Sequence, residues 1–200
     1  MRTADSITII KKLIDDNNGI LRTEEAGRAG ISRTTLGLLV KKGIIERIAH
    51  GQYINPNDLP DELFLLQLRS EKIVFSHETA LYLHDMAERT PNKHSLTIPS
   101  ECKLSSVISE QCKIYYVKSE YHSLGKCPVV SKMGNELIAY DAERTVCDIL
   151  RSRNRIDSQT FAAAIRNYIE RNNQDWKKLS YYAECFCITK LLRQYLEVLL

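Results

Sequence analysis

Three observations predict an α+β chain made of two domains. Residues 1–55 carry three short helical patterns and then a hairpin pattern with a glycine at its tip. The stretch "NPNDLPDE" (55–62) is polar and marked by prolines, as linkers are. Beyond it, helical patterns mix with short β-branched and aromatic runs before the chain ends in helices. The predicted organisation is a first domain over 1–55 and a second over 56–200, mixed α/β to about residue 155 and helical over 156–200.

The first helix is placed over 5–16, because Ile7, Ile10, Leu13 and Ile14 recur at helical spacing. Asp5 or Ser6 is available to cap it, and "NNG" (17–19) to close it. "RTEEAGRAGI" (22–31) offers Thr23 as an N-cap, two glutamates at the positive end of the helix dipole, and Gly30 as a stop. Ser32 is placed to cap a third helix, which Gly43 ends in a left-handed conformation. On this helix Leu36, Leu39 and Val40 share one face, while Arg33, Gly37 and Lys41 form a stripe on another with Thr34 beside it. "IIERI" and "QYIN" read as strands joined at "AHG", where Gly51 supplies the positive φ of a tight hairpin.

Three short helices with an appended hairpin make the winged helix-turn-helix pattern. In it the third helix enters the major groove of DNA and the hairpin reaches neighbouring backbone or minor groove. The charge distribution agrees. Residues 1–54 hold nine Lys/Arg against six Asp/Glu, whereas 55–200 are balanced at 19 against 19. Within Arg28–Tyr53 there are five basic residues and one acid, Glu46. A local positive patch on an otherwise neutral chain suits a module that contacts phosphates.

In the second domain "DELFLLQLRS" and "SHETALYLHD" read as helices, the latter capped by Ser76. "HSLTIP", "KIYYVK" and "CPVVSK" read as strands. "DAERTVCDILRSR" reads as a helix capped by Asp141, with Ala142, Val146 and Ile149 on one face. Arg144 and Asp148 on it have the spacing of a helix-surface ion pair, the other reading being that they tie this helix to its neighbours. Helices follow at about 157–170, 175–184 and 186–199. The last carries an apolar seam of Ile188, Leu192, Tyr195 and Leu199, which is read as intramolecular core, a partner or dimer face being the alternative.

Several classes of chemistry find no support. The six cysteines include no C-x-x-C pair and suit free thiols of a reducing compartment; Cys185 and Cys187 read as buried helical thiols rather than a redox pair. His77 and His84 stand seven residues apart, two helical turns and about 10 Å of rise, too far to share a metal ion. There is no Gly-rich phosphate loop, nucleophile elbow or kinase motif. No secretory signal and no membrane-length apolar run are present, so a cytoplasmic protein without membrane contact is expected. No metal, no cofactor and no enzymatic activity are expected.

The blocks "GILRTEEAGRAGISRTTLGLLVKKGIIERIAHGQYINP", "FSHETALYLHDM" and "YDAERTVCDILR", in that order over about the first 155 residues, resemble the AbiEi antitoxins of bacterial AbiE toxin-antitoxin (abortive infection) systems. The resemblance implies an N-terminal winged helix domain that binds inverted repeats in its own promoter. It also implies a C-terminal domain with antitoxin activity that assists repression. The implied functional partner is an AbiEii-type nucleotidyltransferase toxin, countered in the type IV manner, without a stable complex being the established mechanism. It places the recognition positions at Ser32, Arg33, Thr34 and Lys41 and the wing at Arg47, His50, Gly51 and Gln52. The chemistry fits: Arg33 suits guanine, Ser32 and Thr34 suit phosphate or a base edge, and Lys41, Lys42 and Arg47 suit phosphates. Gly37 on the groove face costs ~1 kcal/mol of helix propensity relative to Ala, so either the backbone approaches DNA there or the face is assigned wrongly. Two copies on an inverted repeat, as a homodimer or cooperatively, are expected. The rival readings are a winged-helix transcriptional regulator whose second domain senses a ligand or redox state, with no toxin partner, and an enzyme centred on His77.

Overall fold

The computed structural model describes residues 3–17, 19–58, 61–87 and 89–199 of the 200-residue chain. It is a mixed α/β structure with two sheets, divided into two compact units, Met1–Asp61 and Glu62–Leu200.

In the first unit the order is α1 (Thr3–Asp16), β1 (Leu21–Arg22), α2 (Thr23–Arg28), α3 (Arg33–Lys41), β2 (Glu46–Ala49) and β3 (Gln52–Ile54). The sheet runs β1-β3-β2, antiparallel throughout. Helix α1 starts at Thr3, so Asp5 and Ser6 lie inside its first turn instead of capping it. Asn18, part of its expected stop, lies outside the described residues. The two-residue β1 has too little pattern to be seen in sequence, and it shifts the start of α2. The N-cap is Arg22, whose backbone N–H donates to Glu25 at 2.9 Å, and Thr23 is the first helical residue. Ile10, Ile14, Leu21, Ala26, Ile31, Leu36, Leu39, Ile45 and Tyr53 form the core.

The second unit holds a five-stranded mixed sheet in the order β6-β5-β4-β8-β7. Its elements are α4 (Glu62–Leu68), β4 (Val74–Phe75), α5 (His77–Leu83), β5 (Ser95–Pro99), α6 (Ser106–Gln111), β6 (Lys113–Val117), α7 (Ser119–His122), β7 (Lys126–Val130), β8 (Glu136–Tyr140) and α8 (Ala142–Arg151). A 3-10 turn (Arg153–Arg155), α9 (Ser158–Ile169), α10 (Trp176–Cys185) and α11 (Thr189–Leu199) complete it. Strand β5 is buried at all five positions. Leu96 and Ile98 join Phe75, Leu137, Ala139, Leu63 and Leu66 in one apolar cluster. Ser95 and Thr97 alternate with them and bond the start of α5: the Ser95 N–H donates to Thr79 Oγ1 and the Thr97 hydroxyl to Ser76 Oγ, both at 2.8 Å. Ser76 precedes α5 as expected, but its hydroxyl is engaged there and does not cap the helix.

Helix α8 is buried along nearly its whole length, and its N-cap Asp141 accepts the Arg144 N–H at 2.8 Å. It packs with α5, α9, α10 and α11 in a second cluster that includes Val146, Ile149, Ile165, Tyr168, Leu179 and Leu192. The α11 seam of Ile188, Leu192 and Tyr195 packs against this cluster, as intramolecular core; the Leu199 side chain lies outside the described residues. Two expectations are overturned. The Arg144–Asp148 pair is on no surface, since Arg144 is 0% exposed. Nor are Cys185 and Cys187 buried helical thiols: Cys185 is half-buried, and Cys187 is exposed, with φ of 56° in the turn after α10.

Candidate nucleic-acid interface

Helix α3 is held firmly at both ends. Ser32 Oγ accepts the Thr35 N–H at 3.1 Å, the N-cap its sequence position suggests. At the other end Gly43 has φ of 67°, and the Gly43 and Ile44 N–H groups donate to the Val40 and Leu39 carbonyls, each at 3.0 Å. This is a Schellman closure, which needs the left-handed residue that glycine adopts without strain. Leu36 and Leu39 point into the core at 0% exposure. With 3.6 residues per turn, the opposite face must then point outward. Ser32, Arg33, Thr34, Gly37, Leu38, Lys41 and Lys42 are all exposed.

Leu38 belongs to this face although it is not among the positions expected from the sequence. At 52% exposure it lies near the middle of the outward face, one turn from Thr34 and Lys41. Its signal was available: it falls outside the core set of Leu36, Leu39 and Val40. At Gly37 a side chain would meet nothing within 4 Å, so no packing inside the protein requires glycine there.

The hairpin is tied to α2. Both the Thr23 N–H and its hydroxyl donate to the Gly51 carbonyl, at 2.8 and 3.2 Å. Gly51 has φ of 73°, and a Cβ there would stand 3.1 Å from Thr23 Oγ1, so glycine suits both the turn and the close approach. An irregularity in the register between Arg47 and Ala49 twists β2, and Arg47 Nε donates to the Ala49 carbonyl at 3.3 Å. Arg47 and His50 are exposed and Gly51 is half-buried. Gln52 lies in the central strand, with its Oε1 buried and without a hydrogen-bond partner. Among the described residues no carboxylate forms an ion pair with Arg33, Lys41, Lys42 or Arg47. The surface therefore presents cations free to meet phosphates, hydroxyls, and one apolar side chain.

The His77 region is a buried polar network. His77 is 3% exposed, has φ of 47°, and stacks on Tyr115 with ring centroids 3.4 Å apart. Its Nδ1 meets Ser76 Oγ and its Nε2 meets Ser152 Oγ, both at 3.0 Å. Burial, reinforced by Arg144, Arg151, Arg155 and Lys113, pushes its pKa well below the usual histidine value, so the ring is neutral. Beside it Arg144 donates from Nε to Asp148 at 3.0 Å and from Nη1 to the Tyr121 and Leu124 carbonyls at 2.9 and 2.7 Å. Its guanidinium lies over the rings of Tyr140 and Phe186, at 4.1 and 4.4 Å. Arg144 thus ties α8 to the segment between β6 and β7. Among the described residues no group of three or more His, Cys, Asp or Glu is arranged to hold a metal ion.

Residues 9–56 match the family model described as "Transcriptional regulator, AbiEi antitoxin". The matched segment contains α2, α3, the β2–β3 hairpin and every candidate contact residue named above. This is a family of regulators and not of enzymes. Among solved structures, the crystal structure of RV2827C protein from Mycobacterium tuberculosis aligns with a TM-score of 0.57 at 13% identity, over 88% of this chain and 75% of that one. At that identity the likeness is one of fold. No curated protein matches the chain. No helix among the described residues is long and apolar enough to cross a membrane.

Proposed function

We propose that this chain is an antitoxin of the AbiEi type that represses its own operon, and that its first unit is a winged helix-turn-helix reading inverted repeats in its promoter. The observation that carries the reading is the exposed face of α3, with Arg33, Thr34, Gly37, Leu38 and Lys41 and, among the described residues, no acidic partner, inside the segment that matches the regulator family. In this reading α3 enters the major groove. Arg33 makes a bidentate contact to guanine, Leu38 meets a thymine methyl, and Ser32 and Thr34 bond phosphate or a base edge. Lys41, Lys42 and Arg47 neutralise phosphates, and His50 and Gly51 bring the wing tip to neighbouring backbone. Gln52, half-buried in β3 beside the hairpin tip, is the remaining wing position.

The second unit, Glu62–Leu200, carries the antitoxin activity against an AbiEii-type nucleotidyltransferase encoded beside it. The test is growth rescue, with full-length protein expressed together with that neighbouring gene. Restored growth is the expected result, and it should survive Arg33→Ala, which touches only DNA reading. Failure of the full-length protein to restore growth would remove the antitoxin half and leave a plain transcriptional regulator.

A further inference from the structure

Where α5, β5, β6 and α8 meet, the second unit has a pocket of about 120 Å³. Two buried polar atoms of residues on its wall lack any hydrogen-bond partner: Arg144 Nη2 and the Tyr115 hydroxyl. Arg144 is 0% exposed and Tyr115 6% exposed, so solvent outside the pocket does not satisfy them. Roughly nine in ten buried polar groups are paired, and a buried guanidinium is among the costliest to leave incomplete. Arg144 spends its other donors on Asp148 and two carbonyls, and Nη2 alone remains.

The charge and the remaining donors point the same way. Three guanidiniums line the pocket, those of Arg144, Arg151 and Arg155, against one carboxylate, Asp148. Asp148 is already held by Arg144 at 3.0 Å and by Arg151 at 3.3 Å. With His77 neutral the lining carries a formal excess of two positive charges. Arg155 lies over the Tyr115 ring at 4.5 Å, which holds it at the mouth. The Thr97 hydroxyl donates to Ser76 Oγ, which leaves the Ser76 proton for His77 Nδ1. His77 then carries its proton on Nε2 and donates to Ser152 Oγ, an assignment made from this network. The Ser152 hydroxyl proton is left without a use inside the protein and faces the pocket.

We infer that this pocket binds a phosphoryl group, held by Arg144 Nη2, Arg151, Arg155 and the hydroxyls of Tyr115 and Ser152. A phosphate monoester carries about −1.5 to −2 at pH 7 and three strong acceptor oxygens, which matches the excess charge and the set of donors. The volume is below the roughly 300 Å³ at which sites for whole drug-sized ligands begin, so one phosphoryl group enters and any attached group stays outside. Free phosphate and the phosphoryl end of a small ester share this chemistry.

The test uses the full chain, with inorganic phosphate and a nucleoside monophosphate titrated separately by calorimetry at constant ionic strength and chloride as the control. Saturable one-to-one binding by either is expected; tighter binding of the monophosphate identifies an ester, and equal or weaker binding identifies the free ion. Arg155→Ala, at an exposed position, and Tyr115→Phe, which removes only the unpartnered oxygen, should each weaken binding about tenfold, the scale of one lost charge-assisted bond. Neither should lower the melting temperature measured without ligand. No saturable binding of either compound beyond that of chloride, or unchanged affinity in Arg155→Ala, overturns the inference.

Discussion

Replacing Arg144 by leucine should remove a large part of the second unit's stability, and the structure sets the size of the loss. Leucine ends near the level of the arginine Cδ, so the space of the guanidinium over the Tyr140 and Phe186 rings is emptied, and the gap adds to the loss. The substitution removes the Nε donor to Asp148, leaving a carboxylate that is 3% exposed with only Arg151, itself over a third exposed, at 3.3 Å. Breaking a buried pair in this way costs about 3 to 5 kcal/mol. The Tyr121 and Leu124 carbonyls also lose their donor, at roughly 1 to 3 kcal/mol each where water does not replace it. A total of at least ~4 kcal/mol compares with a typical domain stability of about 5 to 15. Trp176 is the sole tryptophan and lies in α10, so its fluorescence during urea unfolding reports on this unit alone. The double variant Arg144→Leu/Asp148→Leu leaves neither charge of the pair buried and should recover at least ~2 kcal/mol of the loss; with Asp148→Leu alone measured as well, a double-mutant cycle gives the coupling. An Arg144→Leu protein within about 1 kcal/mol of wild type, or a double variant with no recovery, would refute the account of this pair.

Two further outcomes follow. Gly37→Ala meets no atom within 4 Å and should slow amide exchange in α3 by stabilising the helix by up to ~1 kcal/mol; weaker promoter binding by the variant supports a close approach of the α3 backbone to DNA at Gly37, and unchanged or tighter binding contradicts it. His77 is held neutral by burial and by Arg144, whereas in the unfolded chain it takes up a proton near pH 6.5. The unfolded state therefore binds more protons, and the stability contributed is complete above about pH 7 and lost as the pH falls below 6.5, by up to about 1.4 kcal/mol per pH unit. Burial lowers His84 and His122 as well, so His77→Gln should make the measured pH dependence shallower without abolishing it; an identical slope in the variant contradicts this assignment.

The first unit is the more legible in sequence, because its signals are local. Ser32 caps, Gly43 closes, Gly51 turns, and Leu36 and Leu39 recur at helical spacing; each is visible within a few residues. Strand β1 is not visible, because two residues show no period and its existence depends on pairing with Tyr53 and Gln52 about thirty positions on. The same holds for the two-residue β4 in the second unit, which pairs with β5 and β8. Strand β8 is a short, mostly buried run, with Leu137, Ala139 and Tyr140 all at 0% exposure, so it lacks the polar alternation that marks a half-exposed strand. Arg144 and Asp148 show the limit of local reading most clearly. Their i,i+4 spacing is the same on a surface as in a core, and only the packing of α5, α9, α10 and α11 around α8 decides between them. The pocket was invisible for a similar reason, since Tyr115, Arg144 and Arg155 come from separate segments.

Whether α3 reads DNA is tested by fluorescence anisotropy of the full chain on a duplex of its own promoter repeats and on a shuffled duplex, each from about 50 to 200 mM salt. Preference for the promoter is predicted. Lys41→Ala should make the logarithmic salt slope shallower by roughly 0.9 on both duplexes, as one lost phosphate contact does. Arg33→Ala should reduce the preference itself, by roughly 1 to 3 kcal/mol. Equal affinity for the two duplexes, or a preference that Arg33→Ala leaves intact, would contradict the assignment of α3 as the helix that reads DNA.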